Sequence, residues 1–384
     1  MIKKAEVIVA GLGTAGSATC MALARRGVSV IGLDARRPPH DMGSHHGESR
    51  SIRRAYLEGS AYVPMARRAW ALWQKLEQDT GARLLTTTGN LTIGLPDGPA
   101  VKGFLESAQT CGIPHEELTA AQVRRRWPQL NLPDAFAAGL EKEAGIVFTE
   151  PAIAAFISEA QRAGANLIFD TPVVSWSKDG DHVRVRTPQG QFEAGRLLLS
   201  AGAYTQPLLG QAGLPLAPKR VPVHWITPPL NEAYRLGTFP VNFWQIPVPE
   251  PDDDGGYREF YALPVTRADG RVKVAFHNGL ADCNPTTMDR KVTAAEVAEI
   301  RVFLGQYLPD LAGRDIASNV CLYTQTPDGD FYLGPVPGQA HVLAVALAGH
   351  GFKFAPVLGE ILADLLTGRP PAFEIDLFSP GRFL

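Results

Sequence analysis

The chain has 384 residues, 45% hydrophobic and 20% charged, an ordinary globular composition with room for two domains or one domain carrying a large insertion. A formal net charge of -2 gives no electrostatic reason to bind nucleic acid or an anionic membrane. Cys20, Cys111, Cys283 and Cys321 fall at no metal-ligand spacing, which predicts reduced thiols and no metal site.

In chain order, the basic N-terminus runs into an apolar segment that breaks at Gly11 without a cleavage-like site, and no stretch is apolar for long enough to span a bilayer. The expectation is a cytoplasmic protein. Residues 6–10 have the composition of a strand buried on both faces. Gly11-Leu12-Gly13-Thr14-Ala15-Gly16 follows at once and opens a small-residue helix over 17–26, closed by Gly27. A second apolar strand, 28–33, ends on Asp34. In such a unit Gly11 makes the tight turn, Gly13 lets backbone approach a pyrophosphate, and Gly16 lets helix and strand pack closely. The helix N-terminus faces the phosphates, and Asp34 can accept from a ribose hydroxyl. A bare GxGxxG is a weak signal, but here each part falls where dinucleotide binding needs it. An acid at position 34, in place of an arginine, argues for NAD or FAD over NADP.

A proline-bearing loop then leads to the densest polar stretch, Gly43 to Tyr56, which on its own reads as a solvated basic loop. Met65, Ala69, Leu72, Trp73 and Leu76 mark the core face of an amphipathic helix. The β-branched run 84–95, with Gly89-Asn90 inside it, predicts a hairpin. A helix over 100–111 ends at Gly112, and Thr119 with Gln122 form a capping box for a short helix that stops before Pro128. Thr149-Glu150-Pro151 starts a helix ending at Gly164, and strands 173–176 and 183–187 form a hairpin around Asp179-Gly180. Residues 196–203 are again a buried strand running into a small-residue turn, which implies a discontinuous nucleotide domain interrupted by β-rich insertions. Residues 216–290 pattern as a mainly antiparallel sheet with a proline- and acid-rich loop at 249–256. Thr293 and Glu296 cap a helix reaching about Tyr307, and a strand over 341–347, a glycine turn and a helix over 355–367 close the chain.

Several separated stretches together resemble one family, the flavin-dependent N-methyl amino acid oxidases, comprising monomeric sarcosine oxidase and N-methyl-L-tryptophan oxidase. They are Gly11–Gly16 with Asp34, Gly43-Ser44-His45-His46-Gly47-Glu48-Ser49-Arg50-Ser51-Ile52-Arg53, Lys273 to His277, Cys321-Leu322-Tyr323-Thr324, and Gly349-His350-Gly351-Phe352-Lys353-Phe354. The resemblance covers nearly the whole chain. It implies an α/β (α+β) fold: a discontinuous FAD-binding Rossmann-like domain of the glutathione-reductase type and a catalytic domain with a large mixed sheet. The expected division is 1–83, 149–215 and 325–384 for FAD, and 84–148 with 216–324 for substrate.

The resemblance also implies FAD bound covalently by a thioether from Cys321 to the flavin 8α-methyl group, with His46 near that edge. Ser44, Gly349 and Gly351 belong to the same cofactor motifs. Arg50 matches an arginine over the flavin face, and Lys273 a lysine near flavin N5 that would stabilise superoxide. Arg53 and Lys353 match a clamp for the substrate carboxylate, while Tyr261, His277, Tyr323 and Thr324 match pocket residues. The expected reaction is oxidation of a secondary amino acid by O2 to free amino acid, formaldehyde and H2O2, by a monomer. A dehydrogenase, or a D-amino-acid or cyclic imino acid oxidase of the same fold, is the alternative.

Two residues have plainer readings from spacing alone. Cys321 is then a buried small hydrophobe, and Lys273 a solvated lysine on a surface strand. One departure from the family pattern is Asp330-Phe331-Tyr332-Leu333-Gly334, where Gly334 replaces a second acid and puts the geometry of the following turn in doubt. The acidic loop before Tyr261 is expected to alter the pocket entrance.

Overall fold

The computed structural model describes residues 2–210, 213–248 and 256–383, arranged as two eight-stranded sheets and a three-stranded ladder. The first sheet begins with Lys3–Ala10, apolar enough in its second half to be buried on both faces. It lies between Val30–Leu33 and Gly190–Leu199, parallel to both. Asn166–Ile168 extends one edge, and the hairpin of Ser175–Asp179 with His182–Thr187 extends the other. Gln339–Ala346 runs parallel to the last three residues of Gly190–Leu199 and pairs in turn with Tyr332–Val336. Helices Thr14–Arg25, Thr149–Arg162 and Ala355–Leu366 stack on one face.

Glycines set two close approaches here. A Cβ on Gly16 would sit 1.8 Å from the Gly11 carbonyl oxygen, and one on Gly359 would sit 2.7 Å from that of Ala18. Helix, turn and helix therefore meet at backbone distance.

The second sheet is ordered Ile316–Gln325, Ala217–Ile226, Val272–Phe276, Tyr257–Leu263, Val241–Pro247, Asn90–Gly94, Ala137–Glu141 and Glu116–Thr119. Every pairing is antiparallel except Val241–Pro247 with Asn90–Gly94. Alternation divides its residues between two environments. Val272, Val274 and Phe276 join Trp244 and Phe260 in the core under helix Ala294–Tyr307. Ala275, Cys321, Tyr323 and Trp225 form a separate cluster on the opposite face. Lys273 shares that opposite face.

The two large sheets draw on separate stretches of sequence. Between them, Ser49–Ile52 pairs with Gly145–Phe148, which also pairs with Leu85–Thr87. Two expectations fail at this ladder. Residues 84–95 form no hairpin: Leu85–Thr87 stays in the ladder while Asn90–Gly94 enters the second sheet, and Gly89, at φ +74°, turns the chain from one to the other. Nor is Gly43–Tyr56 solvated, since His45, His46, Ser49, Arg53 and Tyr56 are all buried. The solvated alternative for Lys273 fails too, at 2% exposure.

The turn after Cys321 is tied down without an acid at position 334. Tyr62 Oη donates to Asp330 Oδ1 at 2.6 Å, and Arg382 Nε to Asp328 Oδ2 at 2.6 Å. Gly334 makes room for Pro380, whose Cδ would lie 2.6 Å from a Cβ at that position. The acidic loop at 249–255 lies outside the described residues.

Trp73, fully buried on helix Val63–Thr80, joins fold to site. It packs on Phe156 and Phe352 and donates from Nε1 to the Lys353 carbonyl at 2.8 Å. Trp73→Phe keeps an aromatic core residue but leaves that buried carbonyl unpaired. It should cost about 1–3 kcal/mol, read as a lower midpoint in urea with an unchanged m-value.

Candidate active site

The polar stretch folds around its own cations. Arg50 Nη2 donates to the carbonyls of Ser44 and His46, and Nη1 to that of Ser49, all at 2.8 Å. Lys273 Nζ reaches across from the second sheet to the carbonyls of Gly47 and Ser49, both at 2.7 Å. Cys321 Sγ lies 3.6 Å from Arg50 Nη2 and 3.7 Å from the Ser44 carbonyl. Two positive charges and a thiol thus share one buried locus, bound mainly by backbone dipoles.

Two cavities meet beside it. The larger, about 550 Å³, runs along the carboxyl ends of the first sheet's parallel strands, past Gly11, Gly13, Asp34, Ser44, Gly202, Gly349 and Gly351. The smaller, about 70 Å³, is lined by Arg53, Glu58, Phe243, Tyr261, His277, His350 and Lys353 among others. Arg50, Tyr323, Gly349 and Phe352 belong to both walls, and Thr324 to the larger one alone. Gly349, at φ +80°, lies against the Tyr323 ring, which a Cβ would meet at 2.5 Å. Four expected residues line neither cavity: Lys273, Cys321, Gly16, which serves packing, and His46, which is buried.

In the small cavity Arg53 Nη2 is 3.5 Å from Glu58 Oε2, with its guanidinium over the rings of Tyr56 and Phe243. Lys353 Nζ donates to the His350 carbonyl at 2.8 Å and to Tyr56 Oη at 3.4 Å. His350 Nε2 lies 2.9 Å from the Gly329 carbonyl, which can only accept, so its Nδ1 is left to accept from Tyr56 Oη at 2.6 Å. His277 Nδ1 is 3.2 Å from Tyr323 Oη.

Burial and charge crowding reset the protonation of these groups. Burial, then Arg53, pulls Lys353 down to about 7 against the pull of Glu58. Burial and Arg50 hold Lys273 well below the ordinary lysine value. Burial also brings His277 down to about 3 and His350 to about 4, so both are neutral. At Cys321 burial acts to raise the thiol, but His46, Arg50 and Lys273 outweigh it and bring it to about 6. A thiol held below its ordinary value has more thiolate character than an inert core cysteine.

Comparison with known proteins decides the family. Residues 6–365 match the family described as FAD dependent oxidoreductase (DAO). The chain belongs to that family. It is 38% identical over 381 residues to a monomeric sarcosine oxidase of Streptomyces avermitilis, covering 98% of this chain and 97% of that protein. It is 34% identical over 385 residues to an N-methyl-L-tryptophan oxidase of Citrobacter koseri, covering 99% of each. Its fold matches the open form of NikD, described as an unusual amino acid oxidase, with a TM-score of 0.84 at 24% identity over 98% of both chains. The chain is thus a member of the sarcosine and N-methyltryptophan oxidase group of flavoenzymes, with the α/β fold of an FAD-binding Rossmann-like part joined to a sheet domain.

The residues present fit FAD. The 550 Å³ cavity lies in the range of about 300–1,000 Å³ usual for such sites, beginning at the glycine turn and ending at Arg50. Asp34 accepts from the amides of Leu12 at 2.7 Å and Arg36 at 2.9 Å, which leaves lone pairs toward the cavity it lines. Thr324 Oγ1, buried on the same wall, has no hydrogen-bond partner among the described residues. No group of acidic, histidine and cysteine side chains among the described residues could hold a metal.

Sequence reasoning missed Glu58, Phe243 and the Tyr56–His350 pair. Phe243 and the Tyr56–His350 pair enter the site only when distant parts of the chain pack together, whereas Glu58 stands five residues from Arg53.

The protonation of Lys353 gives a test with a definite sign. Its charge is present below about 7 and lost above. Acetate binding that uses this charge, measured by flavin absorbance in the loaded enzyme, should weaken by about tenfold per pH unit above 7. In Lys353→Met that slope should vanish.

Proposed function

We propose that this enzyme oxidises a small N-methyl amino acid of the sarcosine type, with O2 as acceptor. The balanced reaction takes the secondary amine, O2 and water to the free amino acid, formaldehyde and H2O2. The observation that carries the reading is the small cavity. About 70 Å³, enclosed by Phe243, Leu263, Tyr261 and Phe352 and furnished with two cations, suits a compact carboxylate better than an indole side chain.

When bound, FAD supplies the hydride acceptor for the amine's C–H bond and the route by which the electrons reach O2. The cavity side chains do the rest. Arg53 and Lys353 bind the carboxylate, giving two charge-assisted contacts in a dry pocket. Neutral His277 and Tyr323 border the amine without repelling it, and the aromatic walls exclude water. Arg50 presents permanent positive charge at the junction of the cavities. Lys273 holds a proton at Nζ where negative charge develops on oxygen.

The glycine turn with Asp34, Ser44, Gly349 and Gly351 would hold the cofactor along the large cavity. Residues 1–83, 149–215 and 325–384 form its domain, and 84–148 with 216–324 the substrate domain. Cys321 is the attachment point. Its sulfur would hold the cofactor through a thioether to the ring methyl group, an oxidation for which O2 would serve as acceptor. The low thiol pKa, set beside His46 and Arg50, supports that chemistry. The reading completes with a monomer in the cytoplasm.

The deciding experiment is H2O2 yield from the purified yellow protein over a panel of N-methyl and cyclic amino acids. Sarcosine should exceed N-methyl-L-tryptophan in kcat/KM; the reverse order refutes the compact pocket. Attachment is tested by acid precipitation. The parent pellet should stay yellow with the added mass of FAD, and Cys321→Ser should release its flavin to the supernatant.

A further inference from the structure

The loop around Arg50 points its carbonyls inward to two cations, so its amides must be held from outside. Gly47 and Glu48 both adopt left-handed backbone, at φ +91° and +71°, the second without glycine's freedom. Successive amides in such a turn converge into a concavity that takes an anion. The anion present is Glu150, whose Oε1 accepts from Gly47 N at 2.9 Å and from Glu48 N at 3.1 Å. Its other oxygen accepts from Thr149 Oγ1 at 2.7 Å, and the Thr149 amide donates back to the Glu48 carbonyl at 2.8 Å. Glu150 itself stands in the first turn of helix Thr149–Arg162, so the first sheet's own helix fixes it.

We propose that Glu150 is a positioning residue for the reaction with O2. It touches neither cavity and acts by holding the Gly47–Glu48 amides, so that the carbonyls of Gly47 and Ser49 keep Lys273 Nζ in place. The inference rests on the reading of Lys273 given above. It makes the cation's position depend on an acid from the nucleotide-binding half of the molecule. The charge of Glu150 also favours the Lys273 ammonium, but the reach of its carboxylate to two amides is what sets the geometry.

Glu150→Asp keeps the charge and withdraws the carboxylate by one methylene. Glu150→Gln keeps the reach and removes the charge. Both are made in the flavin-loaded enzyme beside Lys273→Met. Two readouts are taken: stopped-flow reoxidation of reduced enzyme by O2, and hydrogen exchange of the peptide spanning 43–53. Glu150→Asp should exchange faster and reoxidise on the order of 10- to 100-fold more slowly, the penalty of a displaced group. Glu150→Gln should retain most of the parental rate. Combined with Lys273→Met, Glu150→Asp should add no further slowing, because both act through one amine.

Parental exchange and reoxidation in Glu150→Asp overturn the inference, as does a Glu150→Gln enzyme as slow as Glu150→Asp. A parental rate in Lys273→Met overturns the reading of that lysine and this inference with it. A slow Lys273→Met beside a parental Glu150→Asp overturns the inference alone.

Discussion

Keeping positive charge out of water is the constraint on which this structure turns. Arg50, Lys273, Arg53 and Lys353 lie close to one another, and Arg53, Lys273 and Lys353 are each less than a tenth exposed. Desolvating a cation costs several kcal/mol unless its donors are met. Here most of the hydrogen bonds these cations make go to carbonyls, Ser44, His46 and Ser49 for Arg50, Gly47 and Ser49 for Lys273, and His350 for Lys353, while Arg53 meets Glu58. Dipoles solvate a charge without neutralising it, so the field remains available to whatever enters the cavities. A set of paired carboxylates would have stabilised the cations and cancelled that field.

The cost appears in the pKa directions. Lys353 and Lys273 are both pulled down, with burial as the main cause and a neighbouring arginine second. The same field draws Cys321 down as well, against the effect of its burial. One set of charges therefore makes a thiol nucleophilic and two amines easier to deprotonate, and an arriving anion reverses the second effect. Two nearby acids, Glu58 and Glu150, are held below the ordinary carboxylate value despite their burial, Glu58 chiefly by Arg53 and Glu150 chiefly by the Thr149 hydroxyl and amide donors.

The sheets explain why the cluster lies where it does. Parallel strands of the first sheet end at the large cavity, where helix Thr14–Arg25 begins, while the second sheet turns one face toward the same place. On that face, alternation puts Lys273 beside Ala275 and leaves Val272, Val274 and Phe276 to the core. The loop 43–53 then lies between the sheets, joined to the rest by the small ladder. Trp73 reaches the Lys353 carbonyl from a helix of the same core, so packing and site geometry are coupled.

Much of this was legible in the sequence. The first strand, glycine turn and helix are local patterns, and short-range sterics fix them whatever surrounds them. The capping boxes at Thr119 and Thr293 are local too, and both form. The motifs around Arg50, Cys321 and Lys353 named the candidate site residues through likeness to relatives. What the sequence could not determine depended on partners far along the chain. Residues 84–95 have a hairpin's composition, but their two strands find better partners in different sheets. The stretch from Gly43 to Tyr56 has a solvated loop's composition, but tertiary burial exchanges its water for carbonyl contacts. Glu150 read only as a helix start, and becomes a clamp because residue 47 arrives 103 positions away in sequence. Local chemistry therefore determined the elements and the cofactor class, whereas long-range packing decided which charges face each other, because energies between charges depend on distance and desolvation that only the folded chain sets.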